Sequence, residues 1–251
     1  MRAAVNLLAS IPSPSTGTID LGPLTIHMYG LMLLAGIAAC IFITGKRWVA
    51  RGGDWDLIFR VAVWGVGAII TKRAGASVTA LMDAVAPGLL VAQAIGRVGN
   101  WWNQELFGEP TDLPWGLEIE PARRPDDYLF SETFHPTFLY EGLWCLAAAA
   151  LLIVLDRRFT FRPPALFALY VALYTGFRFY LETLRIDPSG EIAGLRTNAW
   201  VSLILFVASL AFFIYWQFFR GRRDQPSRRG PRRIEPKQTM AVPSGRVRPR
   251  R

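Results

Sequence analysis

The stretch LTIHMYGLMLLAGIAACIFIT, residues 24–44, decides the fold class, because it contains no Asp, Glu, Lys or Arg. A predominantly apolar run of about 20 residues is long enough to cross the hydrocarbon core of a bilayer as a helix. Comparable runs occupy residues 78–101, 138–155, 164–181 and 200–219. The sequence therefore predicts an all-α, polytopic transmembrane helix bundle with about five spans.

Composition supports this class and locates the positive charge. The 251 residues are 52% hydrophobic, and the formal net charge is +9. Residues 220–251 hold 12 basic and two acidic residues. We therefore predict a transmembrane domain over residues 1–219 and a disordered, basic, cytoplasmic tail over residues 220–251. The tail is a topology signal or contacts anionic membrane lipids. No nucleic-acid partner is expected, since no binding fold accompanies the charge.

The segment 57–70 is apolar but covers only 14 residues and includes Arg60. Basic residues flank it on both sides, at Arg51 and at Lys72 and Arg73. We predict a re-entrant or interfacial segment that does not span the membrane. The positive-inside rule then orients the chain with its N-terminus outside and its C-terminus in the cytoplasm. The loop after Asn103 and the loop 186–198 are expected outside.

Ionisable side chains within the spans indicate a functional site, because they are costly in lipid. Arg178, Glu182 and Arg185 are spaced by four and three residues, so they share one helical face. They form either an ion-pair ladder that stabilises the bundle or a cationic pocket for an anionic headgroup. The spacing leaves both interpretations open.

A second polar group lies where the span 78–101 ends. Arg97 and Asn100 are three residues apart on one face, at about the depth of Arg178. Two guanidinium groups at one depth suit a phosphate, which accepts bidentate hydrogen bonds. Asn103 and Glu105 follow, where the helix is expected to break into a loop.

Three further side chains have two interpretations each. Tyr29 is an aromatic residue of the membrane interface or faces the site, and His27 is more typical of an interfacial polar residue. His135 marks the start of a helix or belongs to the site. No GxSxG, HExxH, CxxC or Walker motif is present. We therefore expect no metal and no cofactor, and a nucleophile supplied by a substrate.

Four segments together resemble one known family, the bacterial prolipoprotein diacylglyceryl transferases. The longest of them, with its GRVGNWWNQELFG block, is highly specific. They are HMYGLMLLAG, DAVAPGLLVAQAIGRVGNWWNQELFGEPTDLPWGLEI, HPTFLYEGL and GFRFYLETLRIDP, spread over residues 26–188.

The resemblance implies an enzyme that moves the diacylglyceryl group of phosphatidylglycerol to the lipobox cysteine thiol of a preprolipoprotein, in the bacterial plasma (inner) membrane. A thioether forms and glycerol phosphate leaves. The family's important positions match Tyr29, Arg97, Asn100, Glu105, Gly108, Arg178 and Glu182. On this basis Arg97 and Arg178 hold the phosphate, and Glu105 or Glu182 orients an arginine or receives the thiol proton. Asn100, Asn103, Gly108, His135 and Arg185 are predicted to contribute to substrate binding.

The chain departs from the family pattern between residues 56 and 77. The resemblance implies two further spans there, with a Gly-Ala-Arg-x-Tyr-His segment and a His/Trp-Gly-Gly segment, and both are missing. Neither His27 nor His135 matches the missing histidine. Two alternatives to a transferase follow, which are a non-catalytic binder of phospholipid or prolipoprotein and a small transporter.

Overall fold

The computed structural model describes residues 10–22, 24–64 and 67–220. Beyond Arg220, the predicted basic tail lies outside the described residues. The α-helices within the described residues are α1 (Met28–Ala50), α2 (Trp55–Trp64), α3 (Gly67–Arg73), α4 (Val78–Asn103), α5 (Thr137–Arg158), α6 (Ala165–Glu182) and α7 (Thr197–Ile214). A π-helical turn, Tyr215–Phe219, extends α7.

Four helices in the described part of the chain are long and apolar enough to cross a membrane. They are α1, α4, α5, and α7 with its π-helical extension. This confirms the predicted polytopic helical membrane protein. The predicted segment 57–70 forms two short helices, α2 and α3, of 10 and seven residues. Neither is long enough to span a bilayer.

Three two-stranded antiparallel hairpins lie at one end of the bundle, which we call the hairpin end. They are β1 (Thr18–Leu21) with β2 (Leu24–His27), β3 (Leu117–Glu118) with β4 (Thr133–Phe134), and β5 (Glu191–Ile192) with β6 (Leu195–Arg196). The predicted first span was wrong at its start, because residues 24–27 pair with β1 instead of joining the helix. Gly22, at φ 63°, occupies the left-handed region in the turn between these strands.

Small residues let α1 and α4 approach closely. A Cβ atom on Gly36 of α1 would lie 2.9 Å from the carbonyl oxygen of Ala92. A Cβ atom on Gly88 of α4 would lie 3.0 Å from the carbonyl oxygen of Cys40. Close backbone approach at small residues is the usual way in which membrane helices gain packing energy. Helix α4 also contacts α5 and α6, and α7 packs mainly on α6.

Pro87 lies inside α4 without interrupting it. A proline has no N–H, so it leaves the carbonyl four residues earlier, that of Asp83, without its helical donor. Arg47 of α1 supplies a replacement, because its Nη2 donates to this carbonyl at 3.3 Å. Its Nε donates to the carbonyl of Ala84 at 3.1 Å. The helix continues because a neighbouring side chain satisfies the freed backbone group.

At the end of the bundle opposite the hairpins, two carboxylates connect neighbouring helices. Asp156 of α5 accepts hydrogen bonds from Arg47 and from Arg51 at 2.9–3.0 Å. The side chain of Asp83 accepts from the backbone N–H of Phe167 at 2.8 Å, in the first turn of α6. Asp83 thus caps the N-terminus of another helix. We call Arg47, Arg51 and Asp156 the opposite-end clasp.

Candidate active site

Helices α4, α5 and α6 bring four ionisable side chains together near the hairpin end. Glu141 of α5 lies between two arginines, with Oε1 2.5 Å from Arg97 Nη2 and Oε2 3.6 Å from Arg178 Nη1. Only 4% of the Glu141 side chain is exposed. Arg178 also pairs with Glu182 at 2.8 Å along α6. The predicted proximity of Arg97 and Arg178 is therefore confirmed, and a shared carboxylate connects them.

A polar stripe on α6 leads from this group toward the middle of the helix. Tyr170, Tyr174, Arg178 and Glu182 recur at intervals of four residues, so they occupy one face. The Tyr174 hydroxyl donates to Glu141 at 3.1 Å and accepts from Arg97 at 3.3 Å. Tyr174 therefore helps to hold Arg97 and Glu141 in their relative positions.

The hairpin β5–β6 completes the group from the other side. Arg196 of β6 lies 2.9 Å from Glu182, and Arg185 lies 3.8 Å from it. Both arginines also contact Asp187, at 2.9 and 2.6 Å. Burial on its own would raise the pKa of Asp187, but hydrogen bonds and charge from Arg185 and Arg196 outweigh it. They hold the pKa below its usual value of 3.8.

We call these seven side chains the ionic cluster. Its members are Arg97, Glu141, Arg178, Glu182, Arg185, Asp187 and Arg196. The four guanidinium groups exceed the three carboxylates by one positive charge. The side chains of Arg97 and Arg178 are 20% and 16% exposed. The ion-pair ladder considered from the sequence is present, and its excess cation, held largely out of water, favours binding of an anion.

A groove of about 330 Å³ lies between α1 and α4, and Arg97 belongs to both this groove and the ionic cluster. Apolar walls come from Leu33, Ile37 and Leu89, among others. The polar residues that line it are Tyr29, Gln93, Arg97 and Asn100. A groove with apolar walls and a guanidinium group in its lining suits a ligand that has both an apolar part and an anionic group.

The structure brings most of the predicted site residues to this end of the bundle, but not all into one cluster. Glu105 is exposed and accepts a hydrogen bond from Asn103 at 3.1 Å. Within the described ranges, Glu105 has no ion pair with a cluster arginine. His135 Nδ1 lies 3.1 Å from the Tyr140 hydroxyl, outside the cluster.

Gly108 lies where two polar segments of the chain meet. It forms an antiparallel bridge with Arg185, and its N–H donates to the carbonyl of His135 at 3.0 Å. A Cβ atom at this position would lie 2.8 Å from the carbonyl oxygen of Leu184. The glycine is therefore required by close backbone approach.

Sequence reasoning missed three members of the ionic cluster, which are Glu141, Asp187 and Arg196, and also the adjacent Tyr174. Glu141 carried a signal, because it is an ionisable residue near the start of an apolar span. For Tyr174 the signal was weaker, because it consists only of the position of Tyr174 four residues before Arg178. Arg196 reaches Glu182 only because the β5–β6 hairpin folds back, and no local pattern indicates this.

A larger cavity, of about 700 Å³, lies apart from these residues. It is in the loop region, lined by Thr111, Glu118 and Glu132 among others, and none of the predicted site residues lines it. Size alone therefore does not select the candidate site, which we place by the position of the arginines. Among the residues that the structure describes, no three His, Cys, Asp or Glu side chains are grouped to hold a metal ion.

Comparison with known proteins adds independent information. The family model described as "Prolipoprotein diacylglyceryl transferase" matches residues 61–215. This range includes α4, α5 and α6 and all members of the ionic cluster.

Named relatives match over most of their length and of this chain. The phosphatidylglycerol–prolipoprotein diacylglyceryl transferase of Cutibacterium acnes is 40% identical over 267 residues, covering 87% of this chain and 90% of the relative. The enzyme of the same name from Paenarthrobacter aurescens is 41% identical, covering 81% and 82%. That from Rhodococcus jostii is 36% identical, covering 92% and 82%.

The alignment to the C. acnes protein covers 267 residues, more than this chain's 251. It therefore includes positions that the relative has and this chain lacks. Identity nevertheless extends over most of both proteins, and the family model covers the residues that build the candidate site. The chain thus belongs to the prolipoprotein diacylglyceryl transferase family.

Proposed function

We propose that this chain transfers the diacylglyceryl group of phosphatidylglycerol to the lipobox cysteine thiol of a preprolipoprotein, as the names of its relatives indicate. One structural observation carries the proposal. Arg97 and Arg178 share the Glu141 carboxylate, and Arg97 lines the α1–α4 groove. A guanidinium pair beside a groove with apolar walls suits a phospholipid with an anionic headgroup.

The chemistry needs a thiolate and a stabilised leaving group. The cysteine sulfur attacks the glyceryl carbon next to the phosphate, so a C–S bond forms as the C–O bond breaks, and glycerol phosphate leaves. Negative charge grows on the departing phosphate oxygen, where Arg97 and Arg178 can stabilise it. Asn100 and Tyr29, on the same groove, are suited to hydrogen bonds with glycerol or phosphate oxygens.

The two candidate carboxylates are suited to different roles. Glu182 contacts Arg178, Arg185 and Arg196, so we assign it to orienting arginines. Glu105 is exposed, which leaves it accessible to the thiol proton. We further propose that Asn103, Gly108, His135 and Arg185 contribute to substrate binding at this end.

We also propose that α6 spans the membrane in addition to the four candidate spans, which gives five spans in total. We propose a location in the bacterial plasma membrane. Helix α6 has 18 residues and carries its ionisable groups at one end. Basic residues lie mostly at the end opposite the hairpins, as Lys46, Arg51, Arg157 and Arg158 illustrate. By the positive-inside rule this end faces the cytoplasm, and the hairpin end faces outside.

The test is a transfer assay. Purified protein in phosphatidylglycerol micelles receives a lipobox peptide, and release of glycerol phosphate and gain of a thioether are followed. We expect release by the wild-type chain and a loss on the order of a hundredfold or more in Arg97→Ala, since a group that stabilises developing charge is removed. Equal release by Arg97→Ala would contradict the proposed site.

A second function is favoured by the positions that the relatives have and this chain lacks. A chain that keeps the arginines but not the missing segments would bind phospholipid without transferring it. Absence of release here, beside release by the C. acnes relative in the same assay, would support binding alone. Uptake of solute into vesicles would instead support a transporter.

A further inference from the structure

Gln93 is a half-buried amide that the proposed chemistry leaves without a role. It lies on α4, one turn before Arg97, and lines the α1–α4 groove. Its Nε2 donates to the Tyr170 hydroxyl at 3.2 Å. Its Oε1 is shielded from solvent and accepts no hydrogen bond from any residue that the structure describes. A buried polar atom without a partner is destabilising, so a ligand that supplies one gains affinity.

The amide has two ways to meet a ligand. A hydroxyl donates or accepts, so Tyr170 holds either end of the Gln93 amide. When Tyr170 donates to Oε1 instead, the NH₂ group of Gln93 takes the shielded, unpartnered position as a donor. Tyr170 therefore keeps the amide in place and lets the ligand select which end it presents.

Position on the helix indicates which part of a lipid meets this amide. Four residues separate Gln93 from Arg97, a rise of about 6 Å along the helix. In a glycerophospholipid the ester carbonyls are separated from the phosphate by the glycerol backbone, a comparable distance. With the phosphate at Arg97, the first polar groups on the side of Gln93 are these ester carbonyls, which only accept hydrogen bonds.

We propose that Gln93 forms a subsite for an ester carbonyl of the diacylglyceryl group, which makes the protein selective for diacyl over dialkyl-ether phospholipids. This inference rests on the proposed function. The carbon that the thiolate attacks lies between the phosphate and the ester groups. Holding both places that carbon at a fixed depth in the groove.

The experiment compares two lipids that differ only in the carbonyls. Diacyl phosphatidylglycerol and its dialkyl-ether analogue, with equal chain lengths, are each given to the purified chain. Transfer to a lipobox peptide and equilibrium binding are both measured. The ester carbonyl gains no charge during the reaction, so its hydrogen bond is equally strong in the ground and transition states. We therefore expect KM to be about fivefold higher for the ether lipid, with kcat little changed.

Variants assign the effect to the amide. Gln93→Leu should raise KM for the diacyl lipid by about fivefold and leave that for the ether lipid unchanged, so the preference disappears. Tyr170→Phe should weaken the preference, because the amide loses its support. Leu89→Ala alters an apolar wall of the same groove. It should raise KM equally for both lipids and leave the ratio of the two KM values unchanged.

The outcomes separate this inference from the proposed function. Equal KM values for both lipids in the wild-type chain, or an unchanged preference in a folded Gln93→Leu variant, would overturn the ester subsite while transfer stands. Lack of transfer together with ester-selective binding that Gln93→Leu removes would support the subsite and overturn the proposed activity. The wild-type comparison needs no variant to fold.

Discussion

Two groups of partly buried arginines lie at opposite ends of this bundle, and they differ in the groups that accept their hydrogen bonds. In the opposite-end clasp, Arg47 and Arg51 share Asp156 and donate to backbone carbonyls of α4, at Asp83, Ala84 and Ala80. In the ionic cluster, Arg97 donates to the side chains of Glu141 and Tyr174, whereas Arg196 also donates to the backbone carbonyl of Arg185 at 2.7 Å.

The difference indicates which arginines remain available to a ligand. Backbone carbonyls cannot move without breaking the helix, so the donors of Arg47 are committed to the structure. A side-chain partner such as Glu141 is not part of the helix backbone, so an anion can compete with it for Arg97 without breaking the helix. A groove also borders Arg97. The presence of a buried arginine is therefore weak evidence for a site, and the nature of its partners is stronger evidence.

The largest effect is expected when the carboxylate that two arginines share is neutralised, which can be done at either end of the bundle. Glu141→Gln should lower kcat/KM by about two orders of magnitude, because Arg97 and Arg178 lose the charge that holds them together. Asp156→Asn should lower thermal stability in detergent but leave activity per folded molecule unchanged.

Glycerol phosphate release, normalised to the folded fraction from size-exclusion chromatography, measures both variants. A large loss of normalised activity in Asp156→Asn would remove the distinction between the two ends. Full activity in Glu141→Gln would remove the shared carboxylate from the proposed mechanism.

A smaller effect tests how far the ionic cluster depends on α1. A Cβ atom on Gly99 would lie 2.5 Å from Cδ2 of Tyr29, so Gly99→Ala must displace this ring. Overpacking of this kind costs about 1–3 kcal/mol, and we expect transfer to fall about tenfold. Gly142→Ala is the matched control, since its Cβ would lie at an ordinary 3.7 Å from Ala94. Equal activities of the two variants in the release assay would show that Tyr29 has no positional role.

The smallest effect concerns Asp187, at the solvent side of the ionic cluster. Its pKa is lower in the folded chain than the usual 3.8. Its contribution to stability is therefore complete at neutral pH and is lost as the pH falls through the folded pKa. Asp187→Asn should lower the Tm by about 2 °C at pH 7, the scale of a partly exposed ion pair.

A thermal melt series from neutral to acidic pH measures the difference between wild type and Asp187→Asn. The difference should begin to shrink near pH 3.8, the usual pKa, and disappear as the pH falls through the lower folded pKa, where the wild-type carboxylate becomes protonated. Asp126→Asn, an exposed aspartate on the same end, serves as the control. A difference that grows in acid would contradict the assigned direction of the pKa.

The helices could be predicted from the sequence because each is a long apolar run, and apolar length is a local property. The start of α1 and the continuity of α4 could not. Residues 24–27 pair with β1, and Pro87 is tolerated only because Arg47 reaches across from another helix. Both depend on contacts between distant parts of the chain.

The candidate site shows the same division. Helical spacing on α4 and α6 predicted that Arg97, Arg178 and Glu182 share a region, and they do. Glu105 follows the end of α4, and its spacing could not tell whether it turns toward the arginines or toward solvent. Arg196 comes from a hairpin whose fold no periodicity describes. The catalytic and binding roles of all these residues stay predictions.

The carbonyl that Pro87 frees has a consequence for the order of assembly. In a bilayer, an unsatisfied carbonyl costs several kcal/mol, so α4 alone would insert poorly or bend. Its donor, Arg47, lies on α1, which the ribosome makes first. We expect α1 to insert first and then to supply the hydrogen-bond donor that α4 needs for stable insertion. This dependence can be tested by measuring the insertion efficiency of α4 in chains with and without a preceding α1. A higher efficiency with α1 would mean that the order of synthesis of the helices affects folding.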